Sequence, residues 1–218
     1  VEAIHDTALR VLEQLGIRVL NFEARDIFCR AGADVDESTQ MVKLARELVE
    51  DLRGLAPSEF VIHGANAEAN VTLGGDKVAF ACVGGPPHIS DIDQGKRPGS
   101  ITDMRNIVRL SEHFDVIHLQ SHNVEPLDVP VHLRHYAVTE AQLTLSRKPF
   151  FVISRGTAQV EDAFAMARIA LGLSMTEFEA KPWCYTVINT NSPRQLDIPM
   201  CQGIIDFARA GQASVITP

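Results

Sequence analysis

Six residues carry groups that could do chemistry together: Gly84, Gly85, His122, Arg155, Asn189 and Asn191. In the run Gly84-Gly85-Pro86-Pro87 the two glycines let backbone N–H groups approach an anion, or make a tight turn that holds no ligand. His122, within Ser121-His122-Asn123, presents an imidazole that can donate to a carboxylate or move a proton, or can simply be a hydrogen-bonded loop residue. Arg155 offers a planar guanidinium fork suited to a carboxylate, whether that of a ligand or of a neighbouring side chain. Asn189 and Asn191, ahead of Ser192-Pro193, supply uncharged donors and acceptors for a ligand or for shaping a loop. No metal site is expected. His118 and His122 are four apart, but their segment reads as strand then loop, where that spacing does not bring them to one face. His135-Tyr136 falls on a helix and is read as structural. Cys29, Cys82, Cys184 and Cys201 have no C-x-x-C spacing and are expected to be buried free thiols.

What must position these groups is a repeating pattern. Apolar residues at helical spacing predict helices over residues 4–15 and 23–31, closed by Gly16 and Gly32, and a third over 45–55, closed by Ala56-Pro57. Short extended stretches at 60–62, 71–73 and 77–83 follow, and predict a small hairpin-like β region. Beyond Thr102, taken as a helix N-cap, helices at 102–114, 131–145, 159–171 and 196–210 precede strands at 116–119, 150–153, 183–188 and 214–217. Strand and helix thus recur every 30 or so residues, the pattern of a parallel sheet. No G-x-G-x-x-G follows any strand, which favours a closed barrel over a dinucleotide-binding sheet. The expected fold is α/β: about the first half of a (β/α)8 TIM-type barrel over residues 101–218, preceded by a helical and β-hairpin region over 1–100. In such a barrel the reacting groups sit at the C-terminal ends of strands, and that rule selects the six residues above together with Asn123, Ser154, Thr190 and Thr217.

Bulk properties narrow the partners. A formal charge of −8 over 218 residues, with Lys and Arg scattered, argues against nucleic acid. No apolar run approaches the roughly 20 residues a membrane span needs. The expectation is a cytoplasmic homo-oligomer, seen here as a fragment, because the sequence lacks an initial Met and stops just after a strand.

Several short patterns give the chain a resemblance. They are Gly84-Gly85-x-Pro87; Asp91-x-Asp93-x-Gly95-x-Arg97-Pro98 leading into Thr102-x2-Arg105; Asp128-Val129-Pro130 with His135-Tyr136; Lys148-Pro149; Asn189-x2-Ser192-Pro193; and Ala208-Arg209-Ala210-Gly211-Gln212. In this order and spacing they resemble the trimethylamine methyltransferase family, which includes members that demethylate glycine betaine. The resemblance implies a barrel enzyme that moves a methyl group from a small methylated amine to the cobalt of a corrinoid carried by a partner protein, with no cofactor bound tightly by this chain. It also implies that pyrrolysine, used by the archaeal trimethylamine enzymes, would lie in the other half of the barrel. A quaternary amine such as a betaine is favoured, because its leaving group departs as a neutral amine and needs no proton. Arg155 is then the candidate partner for a betaine carboxylate. A pterin or folate acceptor, or a non-catalytic binding module, are the alternatives. Trp183 and Tyr185 suggest an aromatic cage for the ammonium, but Trp183 lies about 20 Å along the strand from Asn189 and is expected to be packing at the closed end. Any such cage is expected in the other half of the barrel.

Overall fold

The computed structural model describes residues 1–217. Its leading helices are α1 (Glu2–Gln14), α2 (Phe22–Arg30) and α3 (Arg46–Gly54). The first two end where Gly16 and Gly32 take φ of 70° and 95°, the left-handed turn that glycine reaches without a Cβ clash. Between the helices lie strands that the sequence reading passes over: β1 (Ile17–Val19), β2 (Asp34–Asp36) and β3 (Met41–Lys43). At three residues each, they are too short for alternation to register. They join β10 (Gln195–Leu196) in one sheet ordered β10-β1-β3-β2, with β1 parallel to β10. Val19, Ala24 and Val42 share an apolar cluster with Cys201 and Ile205. Sheet and core therefore both cross the boundary expected near residue 100.

Two antiparallel hairpins follow, β4 (Glu59–Ile62) with β5 (Val71–Gly74), and β6 (His88–Asp91) with β7 (Gly95–Pro98). The stretch 77–83 is not a third strand of the first hairpin, as expected from its composition. Its Ala81 instead makes a parallel bridge to Leu119. From there the parallel pairing proceeds in chain order. Gln120 N–H donates to Pro149 O at 2.9 Å. Strand β8 (Phe150–Phe151) pairs with β9 (Cys184–Asn189), and β9 with β11 (Ala213–Thr217), placing Val187 opposite Val215. The strands expected at 116–119 and 150–153 shrink to a single bridge and two residues.

Helices α4 (Ile101–His113), α5 (Arg134–Leu145), α6 (Thr157–Leu171) and α8 (Ile198–Arg209) each pack on the next, and α8 covers β9 and β11. A five-residue helix, α7 (Met175–Glu179), precedes β9 and was not anticipated. Phe150, Val152, Phe164, Phe178, Cys184 and Phe207 fill the space between sheet and helices, each such side chain contributing about 1.5–3 kcal/mol by its burial. The architecture is mixed α/β. Among the described residues no helix is long and apolar enough to cross a membrane.

Helix α4 is capped two residues earlier than Thr102 suggests. Its N-cap is Ser100, which forms a capping box with Asp103. The Asp103 carboxylate also receives a fork from Arg97, at 2.6 and 2.8 Å, and Arg97 reaches back to Asp91 at 3.2 Å. Arg97 holds the Asp103 carboxyl well below its ordinary pKa, with the Ser100 hydrogen bonds adding to it against desolvation. A folded-state pKa below the unfolded value means this contribution is complete above about pH 4 and is lost as pH falls toward the folded pKa. Asp103→Ala should cost about 1–2 kcal/mol at pH 7 in urea denaturation, and the difference from the parent should narrow below pH 4. An unchanged midpoint at pH 7 would show that the fork and cap do not hold the β7–α4 corner.

Candidate active site

The parallel segments present one face to the helices and the other to a cavity of about 580 Å³. Alternation along β9 sends Tyr185, Val187 and Asn189 to the cavity, while Leu119, Phe151 and Val215 reach it from the neighbouring segments. Gly84, Gly85, His122, Arg155 and Asn189 all line it. Five of the six residues singled out by sequence are thus gathered at one place, although they lie up to 105 positions apart (189 minus 84). Asn191 is not among the lining residues. Its backbone pairs with Gln195 and its Oδ1 accepts from Asp197 N–H at 3.2 Å, so it shapes the loop that leads into β10.

Close approach accounts for Gly84 and a left-handed backbone for Gly85. A Cβ on Gly84 would stand 2.9 Å from Ser121 Oγ. Gly85 has φ of 86° and donates its N–H to His122 O at 2.6 Å, tying the 80s segment to the next one. His122 is 3% exposed and its ring stacks on Phe151 with centroids 6.5 Å apart. Its Nε2 lies 3.1 Å from Glu125 Oε2, but at an angle that makes no hydrogen bond and leaves that nitrogen without a partner. Burial pulls the His122 pKa down; Glu125 opposes this, and the charges of Arg155 and Arg134 reinforce it. Asn189 accepts from the Thr217 hydroxyl across the β9–β11 pair.

Glu125 is the residue that sequence reasoning missed. Its carboxylate, 13% exposed, meets Arg134 Nη1 at 3.0 Å and Arg155 Nη1 at 4.0 Å. Its own N–H donates to Pro86 O at 2.9 Å, which fixes it against the Gly-Pro run. A lone Glu after a short strand carries no pattern, so only the three-dimensional arrangement could reveal it. The cysteines divide: Cys184 and Cys201 are buried, with burial pushing Cys201 up to about 11, whereas Cys29 is exposed and Cys82 half-buried on the cavity wall. Among the described residues no group of three or more His, Cys, Asp or Glu is arranged for a metal ion.

The family model for trimethylamine methyltransferases matches residues 1–218, the whole sequence. The chain belongs to the trimethylamine methyltransferase family. It is 32% identical over 217 residues to a glycine betaine methyltransferase of Desulfitobacterium hafniense strain Y51, covering 99% of this chain and 45% of that protein. A trimethylamine methyltransferase of Desulfitobacterium hafniense is 30% identical over 210 residues, and one of Methanosarcina barkeri is 30% identical over 220, covering 42% and 44% of those proteins. The chain therefore spans less than half the length of these relatives. A solved monomethylamine methyltransferase from Methanosarcina barkeri aligns with a TM-score of 0.49 at 12% identity, over 89% of this chain and 43% of that one.

The patterns that carry the family resemblance are mostly struts of the scaffold behind the cavity. Lys148 donates to Ser111 O and Phe114 O, closing the end of α4. Asp128 accepts from Ile101 N–H at 2.8 Å at the start of that helix. His135 and Tyr136 both bind Asp162, joining α5 to α6, as the structural reading of the pair anticipates. Trp183 lies away from the cavity, its ring 5.2 Å from that of His63 and packed on the helix-side core. Removing the Glu125 carboxylate would leave Arg134 unpaired in a largely buried position. Glu125→Ala is expected to lose about 1–3 kcal/mol in chemical denaturation, with Glu125→Asp recovering part of it; equal stability of parent and Ala variant would remove Glu125 from the framework of the site.

Proposed function

We propose that the complete protein transfers a methyl group from a methylated quaternary amine to the cobalt of a corrinoid held by a partner protein. The observation that carries this reading is the chemistry of the cavity wall: among the described residues Arg155 is the one lining side chain with a full charge, and no carboxylate lines the space. A tertiary amine can lose a methyl as a neutral amine only while its nitrogen holds a proton, and that N–H calls for an acceptor. A quaternary ammonium needs neither, since loss of a methyl yields a neutral tertiary amine. Arg155 suits a ligand that is cationic at one end and carboxylate at the other, as betaines are.

The scaffold fits the same reading. Five parallel segments in chain order, around Ala81, Leu119, Phe151, Val187 and Val215, correspond to successive staves of a (β/α) barrel, in which reacting groups sit at the C-terminal ends. Further staves would come from outside residues 1–218, in keeping with the greater length of the relatives. At about 580 Å³ the cavity is the size of a small-ligand site and does not enclose a corrin macrocycle with its side chains. Gly85, beside which a Cβ would meet nothing within 4 Å, leaves the rim open on that side, where one face of the partner's corrinoid could approach. A reduced cobalt centre would supply the nucleophile that accepts the methyl group. The part played by this chain is positioning: Arg155 orients the carboxylate, Asn189 offers an uncharged contact, and Leu119, Ile153 and Val187 keep water from the methyl groups. Four cysteines without a disulfide suit a reducing cytoplasm.

The complete protein incubated with cob(I)alamin and glycine betaine should yield dimethylglycine, detected by mass spectrometry, and should act far less on trimethylamine. Arg155→Gln should raise the KM for betaine roughly 10- to 100-fold, the worth of a charge-assisted hydrogen bond, with a smaller effect on kcat. Failure to demethylate any methylated amine would overturn the reading.

A further inference from the structure

Three aromatic rings on successive parallel segments meet in the cavity: His122, Phe151 and Tyr185. The His122 and Phe151 planes are inclined by only 23°, and Phe151 meets Tyr185 edge-on at 5.6 Å and 74°. The Tyr185 hydroxyl donates to Gln120 O at 2.8 Å, so its polar end is satisfied by the scaffold, and its ring, 4% exposed, borders the cavity. The sequence placed any aromatic cage in the other half of the barrel; this arrangement puts ring surface in the present half.

We propose that His122, Phe151 and Tyr185 form the wall that binds the methylated ammonium head of the substrate, a proposal that rests on the amine reading above. A quaternary ammonium has no N–H, so hydrogen bonds cannot recognise it; its spread positive charge is attracted to the negative faces of aromatic rings. Arg155 lines the same cavity and repels a cation, which leaves the rings as the cation-attracting surface and Arg155 for the carboxylate. His122 takes part as a ring and not as a proton donor. The charged groups that face it are Glu125, Arg134 and Arg155, and the other titratable side chains of the cavity are Cys82 and Tyr185. Burial and the two guanidinium groups favour uncharged imidazole against the opposing pull of Glu125. An imidazolium here would repel the ammonium; an uncharged imidazole extends the wall by one ring.

The test compares two ligands of one shape and different charge. Glycine betaine and 3,3-dimethylbutanoate share the carboxylate and the bulk of the head group, but only betaine is cationic there. Calorimetry on the complete protein, without corrinoid, should show betaine binding about tenfold tighter. Phe151→Leu should reduce that ratio to near one while leaving dimethylbutanoate binding little changed, and the ratio should stay constant between pH 6.5 and 8. Equal affinity for the two ligands in the parent protein, an unaltered ratio in Phe151→Leu with a parent-like melting temperature, or no betaine binding at all would each overturn the proposal. Betaine binding that weakens tenfold from pH 8 to 6.5, with the drop abolished in His122→Phe, would overturn the role of His122 as an uncharged ring. Because binding is read without methyl transfer, a protein that binds betaine through these rings yet demethylates nothing would refute the catalytic reading and leave the wall standing.

Discussion

Parallel pairing in chain order, from the Ala81–Leu119 bridge through to Val187 opposite Val215, decides which side chains meet. Along β9 the period of two divides the residues: Tyr185, Val187 and Asn189 line the cavity, while Cys184 lies in the helix-side core and the Ile188 side chain meets α8 at Gly203. A slip of one residue would exchange the two sets, exposing Cys184 and Ile188 to the cavity and driving the Tyr185 ring into the helices. The close fit of α8 adds to this constraint. A Cβ on Gly203 would stand 2.8 Å from Ser154 Cβ, so the helix lies against the sheet at a distance that only glycine permits. Cavity and core are two faces of one register.

Polar groups on the scaffold reinforce that register from behind. Gln212 alone accepts from the N–H groups of Trp183 and Cys184 and donates to Phe178 O and Ala210 O, with Lys181 O 3.2 Å away, which fastens the entry of β9 beside the entry of β11. Gln142 accepts from Phe151 N–H and donates to Phe151 O, doing for β8 what Gln212 does for β9. Side-chain amides are suited to this task because each offers a donor and an acceptor to backbone groups that a two-residue strand would leave unpaired. Gln212 thereby ends the Ala208-Arg209-Ala210-Gly211-Gln212 pattern as a scaffold strut that does not line the cavity.

The helices and the longer parallel strands β9 and β11 were legible because each is long enough to show a period. α1, α2, α5, α6 and α8 fall within a few residues of the expected spans, and the glycines after α1 and α2 mark their ends correctly. What escaped was short or contextual. The strands β1, β2, β3 and β10 have two or three residues apiece, and β1 exists as a sheet partner of β10 only through contact with a segment some 177 positions away (195 minus 18). The N-cap of α4 was misplaced because Ser100 and Thr102 both look like caps, and the choice is made by Asp103, which completes a box with Ser100 and takes the Arg97 fork. The candidate site was partly legible: His122, Arg155 and Asn189, named by the strand-end rule, line the cavity, while Glu125 lay three residues beyond His122 and Phe151 was read only as part of a strand.

The union of β1 with β10 has a consequence for how the molecule is made. Val19 and Val42 are fully buried, yet part of their cover is Cys201 and Ile205, which leave the ribosome about 160 residues later. At synthesis rates of roughly 5–20 residues per second, the first lobe waits on the order of ten seconds or more with an apolar face and a strand edge uncovered. During that interval the nascent chain is open to premature association with its own kind.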